Sequence, residues 1–353
     1  MQNRQKKFYE ALDDTFLQVF KKDKKVIMLG LGVNDPKKIF NTTSKVSKNF
    51  PDRVFDVPIS ENSISGIALG CSLNNLKPIL THQRLDFSLL TFDQIINQAA
   101  KWFYMFDGKK SVPLVVRLIV GRGWGQGPQH SQSLQSFFSH IPGLKVVMPS
   151  TSSSAKSLME LSIKDPNPVI FIEHRWLHNL SFINKSKKKE KKLGKSNILR
   201  KGKDISIVSC SYMTIELLRV TKFLNKNKID FEHIDLQSIS PLDKKTIINS
   251  VKKTKRLLVL DTGHTSFGIS SEIISLISEK IGNELKCNAQ RIALPDIPTP
   301  TTFALAKQYY PTKYQICKKI FDMLGKKFNS KNNILFKSDK YSDQPFKEFM
   351  GPF

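Results

Sequence analysis

Short β-branched and aliphatic runs alternate along this chain with stretches whose apolar residues fall three and four apart, and few architectures accept that alternation. In the first half the runs are KVIMLG (25–30), RVFDVP (53–58), KPILTH (77–82), VPLVVRLIVG (112–121), LKVVMP (144–149) and PVIFIEH (168–174). Between them, TFDQIINQAAKWFYMF (91–106) and SSSAKSLMELSIKD (152–165) carry the helical period. The pattern then stops at a charge run, KSKKKEKKLGK (185–195), and restarts. DISIVSC (204–210), a helix around Met213 to Leu224, DFEHIDL (230–236), a helix KKTIINSV capped by Asp243, RLLVLDTG (256–263) and SSEIISLISEK (270–280) follow. Strands that each feed a helix predict an α/β fold with parallel sheets covered by helices. A chain of 353 residues is too long for one small core, so two such units are expected. We place them at 1–180 and 204–325, with a lysine-rich linker at 181–203 and a polar tail at 326–353. The tail ends in EFMGPF, an aromatic cluster that reads as docked.

Composition narrows the class. The net charge of +26 raises a nucleic-acid reading through phosphate neutralisation. The excess is mostly lysine scattered along every segment, which reads as a solvated surface, so a nucleic-acid partner is not expected. No apolar run reaches membrane-spanning length. The charged, amphipathic N-terminus lacks the apolar core and small-residue cleavage site of a signal peptide, so a cytoplasmic protein without a membrane partner is expected. Cys71, Cys210, Cys287 and Cys317 lie far apart and form no C-x-x-C pair, which leaves them as reduced fillers.

The glycine motifs fail the tests of their own mechanics. GRGWGQG (121–127) follows a strand but yields no G-x-G-x-x-G in either frame, and no Lys-Ser or Lys-Thr follows it to make a phosphate loop. At the first strand, Gly30 to Asp35 fails because Asp35 stands where the third glycine belongs. What GRGWGQGPQHSQ does supply is a pliant backbone that delivers His130 to the end of a parallel sheet, where ligands of such folds collect. The residues alone leave open whether His130 is functional or ordinary.

VFDVPISENSISGIALG (54–70), DFSLLTFDQIINQAAK (86–101), GPQHSQSLQSFFSHIPGLKVVMPS (127–150) and KDPNPVIFIEH (164–174) together resemble the beta subunit of thiamine diphosphate-dependent 2-oxoacid dehydrogenases of the pyruvate and branched-chain type. IDLQSISPLDKKTI, LVLDTG and RIALPDIPTP extend the resemblance through the second unit, to about residue 323. It implies a transketolase-like pyrimidine-binding domain followed by a transketolase C-terminal-like domain.

The resemblance also implies roles. Glu61 of the I-S-E motif would hydrogen-bond a ring nitrogen of the aminopyrimidine of thiamine diphosphate, favouring the tautomer that activates the cofactor. Burial raises the pKa of such a carboxyl, while a helix N-terminus opposes the rise. Phe87 would pack on the aminopyrimidine, and His130 would face the reacting centre, moving a proton or holding a substrate carboxylate. The plain alternatives are a capping acid and a core aromatic. Ser162, Ile163, Asp165 and Asn167 match a loop that in some relatives ligates potassium, mainly through backbone carbonyls.

Absences matter as much. The family's alpha subunit holds the diphosphate and Mg²⁺ with a Gly-Asp-Gly motif, and no GDG occurs here; Asp107-Gly108 is the nearest approach. The resemblance therefore implies half of an active site, completed by a separate alpha-type chain, with self-dimerisation, a heterotetramer and docking to a lipoyl acyltransferase as further expectations. Gly30-Leu31-Gly32-Val33 stands where relatives in large complexes carry Gly-Glu-Glu-Val, so acids at that end of the pocket are missing. Thr81, His82, Gln83 and Arg84 make the segment before Phe87 polar and basic; His82 and Arg84 either face an anionic or sugar-like substrate or are solvated. The main expectation is an enzyme subunit that decarboxylates a 2-oxoacid and transfers the acyl or aldehyde unit. A transketolase-like transfer enzyme of sugar or secondary metabolism is the alternative, and a non-catalytic scaffold or nucleic-acid-binding protein on the same fold is the other.

Overall fold

The computed structural model describes residues 5–123, 125–183, 192–330, 333–346 and 349. The first unit runs β1 (Gln5–Lys7), α1 (Phe8–Lys22), β2 (Val26–Gly30), α2 (Lys38–Asn41), α3 (Ser44–Asn49), β3 (Val54–Asp56), α4 (Glu61–Leu73) and β4 (Lys77–His82). A 3-10 segment (Leu85–Thr91), a π-helical turn (Asp93–Ala99) and α5 (Ala100–Met105) follow, then β5 (Val115–Val120), α6 (Gln135–Ser139), β6 (Lys145–Val147), α7 (Ser152–Lys164), β7 (Val169–His174) and β8 (Ser181–Ile183). The stretch 91–106 is thus helical as its period predicts, though wound as a π-turn before it tightens.

Sequence pattern explains the packing. Phe8, Leu12, Phe16 and Phe20 recur every fourth residue of α1 and are all buried, so the helix has one apolar stripe, which lies against α7. Every residue of β2, β5 and β7 is buried, as strands covered on both faces require.

The second unit comprises β9 (Asn197–Arg200), β10 (Ile205–Ser209), α8 (Ser211–Lys226), β11 (Phe231–Asp235), β12 (Ser238–Ser240), α9 (Lys244–Thr254), β13 (Leu257–His264), α10 (Ile269–Ile281), β14 (Gln290–Leu294), α11 (Phe303–Tyr309) and α12 (Lys313–Met323). Asp243 caps α9, its carboxylate accepting the Thr246 amide.

The sheets are ordered β12-β6-β7-β5-β4-β2-β3 and β14-β13-β10-β11-β9. Their centres are parallel, but β12 runs antiparallel to β6, and β9 antiparallel to β11. β12 follows β11 after Leu236 and Gln237 alone, yet it pairs not with β11 but with β6. β12 also leaves its own unit and completes the sheet of the other.

Residues 185–191 of the lysine run lie outside the described residues, and of EFMGPF only Phe349 is described. Arg122 donates to the Ser342 carbonyl at 2.7 Å through Nη2, so the C-terminal segment straps onto the glycine-rich loop. Gly123 there has φ +82, and a Cβ on it would lie 1.9 Å from the Asp343 carbonyl oxygen. Phe346 and Phe349 lie beneath the guanidinium groups of Arg219 and Arg175.

Candidate active site

Strands β2 and β4 end side by side, and the segments leaving their carboxyl ends frame a cleft. Gly30 permits this closeness, since a Cβ on it would lie 2.4 Å from the Thr81 carbonyl oxygen. Ser60 caps α4 in position but gives no side-chain cap hydrogen bond. Glu61 follows as the first helical residue, half-buried on the cleft wall with Leu31, Val57, Ile64, His82 and Phe87. Its backbone carbonyl accepts from Ser65 Oγ at 2.7 Å. Its carboxylate has no hydrogen-bond or ion-pair partner among the described residues, and it sits at the positive end of the helix dipole.

Phe87 lies in the 3-10 segment after β4 and meets His130 edge to face, with ring centroids 5.6 Å apart and an interplanar angle of 87°. His130 is exposed, at the end of the glycine-rich loop that leaves β5. Glu61, Phe87 and His130 therefore come together at one end of the sheet. Past His130 the chain is tied to the second unit: Gln135 Nε2 donates to Asp261 Oδ1 at 2.9 Å, and Ser133 Oγ to Thr262 Oγ1 at 3.1 Å. Asp261 also accepts the amides of Gly263 and Ser270, so the LDTG motif is a junction post.

His82 and Arg84 are both buried, which removes the solvated alternative. Burial pushes the His82 imidazole down to about 4, so it is neutral at pH 7, with Nε2 unpartnered among the described residues. Arg84 donates to the Gln83 carbonyl at 2.9 Å; burial lowers it to about 10, opposed by the charge of Asp86, so it stays protonated. Its guanidinium lies 5.4 Å from the centre of the Phe40 ring, and Arg175 lies 4.2 Å from the same ring. Phe40 belongs to α2, a single turn whose four residues all have positive φ, from 44° to 65°, a conformation costly for side-chain-bearing residues.

Ser162, Ile163, Asp165 and Asn167 lie at the opposite end of the sheet, where α7 gives way to β7. Ser162 Oγ donates to the Leu158 carbonyl, Ile163 is core, and Asp165 pairs with Lys145 at 2.6 Å. Asn167 Oδ1 is buried without a hydrogen-bond partner among the described residues. No group of three or more His, Cys, Asp or Glu able to hold a metal ion occurs among the described residues.

Two sets of residues had no mark in the sequence. One is a buried cluster in which Arg117 Nη2 donates to Glu173 Oε2 at 3.0 Å, and the same oxygen is 2.8 Å from His178 Nε2. Despite the cost of burying the carboxylate, Arg117 and His178 hold Glu173 down at about 2. The other is Asp86, whose carboxylate accepts from Gln132. Both pairings span strands or loops distant in sequence, where no local spacing reveals them.

Cavity size alone points elsewhere. Cavities of about 690 and 740 Å³ lie beneath the C-terminal strap and between α6 and α10. In the former, Glu216 already pairs with Arg219 and Asp339 with Lys313, whereas the Glu61 carboxylate is uncommitted.

Residues 4–179 match the transketolase pyrimidine-binding domain family, and residues 194–316 the transketolase C-terminal domain family. The chain is 37% identical over 316 residues to the beta subunit of acetoin:2,6-dichlorophenolindophenol oxidoreductase of Cupriavidus necator, covering 87% of this chain and 94% of that one. It is 35% identical over 308 residues to the pyruvate dehydrogenase E1 component subunit beta of Rickettsia felis, with 87% and 94% covered. Its fold matches a solved split gene transketolase, described as an inactive beta4 tetramer, with a TM-score of 0.72 at 19% identity, covering 90% of this chain and 97% of that one. The chain belongs to the E1 beta-subunit family of thiamine diphosphate-dependent 2-oxoacid dehydrogenases, in which a transketolase-type pyrimidine-binding domain precedes a transketolase-type C-terminal domain.

Proposed function

We propose that the chain contributes Glu61, Phe87 and His130 to a thiamine diphosphate site shared with an alpha-type subunit, and that the assembled enzyme decarboxylates a 2-oxoacid and passes on the acyl or aldehyde unit. The uncommitted Glu61 carboxylate beside Phe87 is the observation that carries this reading. A helix-start acid with a capping or ion-pair role would have a partner in the chain. The residues fit the pyrimidine part of the cofactor, which offers a flat ring to Phe87 and a ring nitrogen to Glu61. When bound, the cofactor supplies a nucleophilic carbon and a sink for the electrons released from the substrate.

Glu61 holds a proton at that ring nitrogen, and its place at the helix N-terminus keeps the carboxylate available to share it. Phe87 orients the ring and excludes water. His130, beyond Phe87, reaches the substrate carboxylate or the proton exchanged at its carbonyl.

Three features support an alpha-type partner. The cleft at Glu61 has only about 20 Å³ of room, on the order of what one water needs, so a ring seated against it is left open for a second surface to cover. Ile67 on α4, with Leu90, Tyr104 and Met105 on the adjoining 3-10 segment and α5, forms an exposed apolar flank of the kind a partner covers. The diphosphate motif is missing from the chain, and Mg²⁺ falls to the partner. A beta-chain dimer and docking to a lipoyl acyltransferase complete the assembly. Potassium, through carbonyls near Ser162 to Asn167, is a further element, supported by the buried Asn167 Oδ1. Among the described residues no helix is long and apolar enough to cross a membrane, and the free cysteines suit the cytoplasm, where we place the enzyme.

Isothermal calorimetry tests the shared site. The chain alone should bind thiamine diphosphate with Mg²⁺ weakly and turn over nothing, and the alpha-type partner should restore tight binding and decarboxylation. Stoichiometric tight binding by the chain alone would sink it.

A further inference from the structure

His130 stands on a loop that cannot hold itself. Gly121, Gly123, Gly125 and Gly127 fall within seven residues, and the last three have φ of +82, +69 and +69. Such a segment samples many backbone states unless something outside it selects one.

Beside the Arg122–Ser342 tie at the start of the loop, a second selecting element is the 3-10 turn after β4. Asp86, only 8% exposed, uses Oδ1 to accept both the backbone N–H of Gln132 at 3.2 Å and its side-chain amide at 2.9 Å. Gln132 is the second residue after His130. Phe87, next to Asp86, presents its ring to the imidazole. On the other side Arg84 lies under the start of the loop. A Cβ on Gly121 would be 3.1 Å from Arg84 Nε and 2.1 Å from the His130 carbonyl oxygen, so both ends of the loop close over this turn.

We propose that Asp86 is a positioning residue for His130, its carboxylate fixing Gln132 so that the glycine-rich loop presents the imidazole against Phe87 at the mouth of the Glu61 cleft. Geometry argues for a side-chain acceptor oxygen here. A single acceptor with two lone pairs takes two donors of one residue, and so fixes the backbone and side chain of Gln132 together. The inference rests on the reading of His130 as the group facing the reacting centre.

Two measurements separate the clamp from that reading. The first is amide hydrogen exchange on the full chain without a partner. Asp86→Ala should raise exchange across residues 121–132 by about tenfold or more, as local opening of a released segment does. The second is turnover of the complex with the alpha-type subunit. Asp86→Ala and Gln132→Ala should each lower kcat by about 10- to 100-fold, the scale of a misplaced catalytic group, with the affinity for thiamine diphosphate unchanged. The double variant should lose no more than either single one. Asp86→Asn keeps an acceptor oxygen and should restore turnover to within about threefold, a difference under 1 kcal/mol.

Unchanged exchange in Asp86→Ala, or an Asp86→Asn as slow as Asp86→Ala, would overturn the clamp. So would full turnover by Asp86→Ala when His130→Ala is inactive. If Asp86→Ala does not fold, Gln132→Ala answers alone, since it leaves the buried carboxylate in place. Raised exchange together with a fully active His130→Ala would confirm that Asp86 holds the loop and remove His130 from the chemistry.

Discussion

Replacing Glu61 by Gln isolates the proton from everything else the residue does. Size, position and half-burial are kept. Among the described residues the carboxylate has no hydrogen bond or ion pair to lose, and the cap position belongs to Ser60. The structural cost therefore reduces to the interaction of one negative charge with the first turn of α4, about 0.3–1 kcal/mol. For a chain of this size that shift is worth a few degrees in Tm at most, since ~1 kcal/mol moves a domain of 150–250 residues by about 2–4 °C. The chemical cost is of another order. Losing a positioned acid–base group removes about 10²- to 10⁴-fold in rate, or about 2.7–5.5 kcal/mol of barrier. Differential scanning fluorimetry on the chain gives the first quantity. Turnover of the complex, and deuterium exchange at the reactive carbon of the bound cofactor, give the second. Expected is a Tm within a few degrees of wild type, intact assembly with the alpha-type subunit, and exchange slowed by at least two orders of magnitude. A fully active Glu61→Gln complex would refute the role. A variant that loses more than about 2 kcal/mol of stability, the upper end for a helix cap, would refute the claim that Glu61 is structurally uncommitted.

Further tests bear on the scaffold. Burial holds His82 near 4 and His233 near 3, below the unfolded value of about 6.5. The unfolded chain thus takes up protons below pH 6.5 that the native chain refuses, and stability, full above that pH, should fall near pH 5 by about 1.4 kcal/mol per pH unit for each such histidine, with His174 and His178, also held down by burial, adding to the slope. Urea unfolding at pH 7, 6 and 5 checks the slope; a flat profile would contradict it, and His82→Phe should reduce it. Arg117→Leu strands Glu173 without its guanidinium and should cost about 3–5 kcal/mol in the same assay. Gly123→Ala sets a methyl against the Asp343 carbonyl at positive φ, adding about 1–2 kcal/mol of backbone strain. The strap should lift, and limited proteolysis should cut within residues 333–346 faster than in wild type.

How far the sequence reaches follows from where each feature gets its information. Strands β2, β4, β5 and β7 are mainly apolar runs because helices cover both faces of the sheet, and such runs read directly even where Arg117 or Glu173 interrupts them. By contrast β1, β8, β9 and β12 have no period of their own; they are strands because a partner edge receives them. Glu61 at a helix start is readable from an acid between an apolar strand and a run of small residues. The Phe87–His130 contact follows the family resemblance, not any local spacing, since a glycine loop has to fold back to make it. Thr81 to Arg84 look like surface in composition. Thr81, His82 and Arg84 are buried because β4 lies between β2 and β5, and chain leaving a central strand stays under its neighbours. Asp86 and Gln132 carry no mark, since their pairing exists only once that loop has closed.

The exchange of β12 has a consequence for how this protein is made. On the ribosome, β6 is synthesised long before Ser238 to Ser240, the residues that cover it. At about 5–20 residues per second the interval lasts roughly 5–20 s. Throughout it, the nascent chain presents an unpaired strand edge beside a finished hydrophobic layer, a template for pairing with a neighbouring polypeptide that only the shortness of β6 and Lys145 blunt. The enzyme therefore depends on its second half to end the vulnerability of its first. Splitting the gene between the two units would leave that edge permanently bare, and a chaperone that shields nascent sheets should raise the yield of the intact chain more than that of either half.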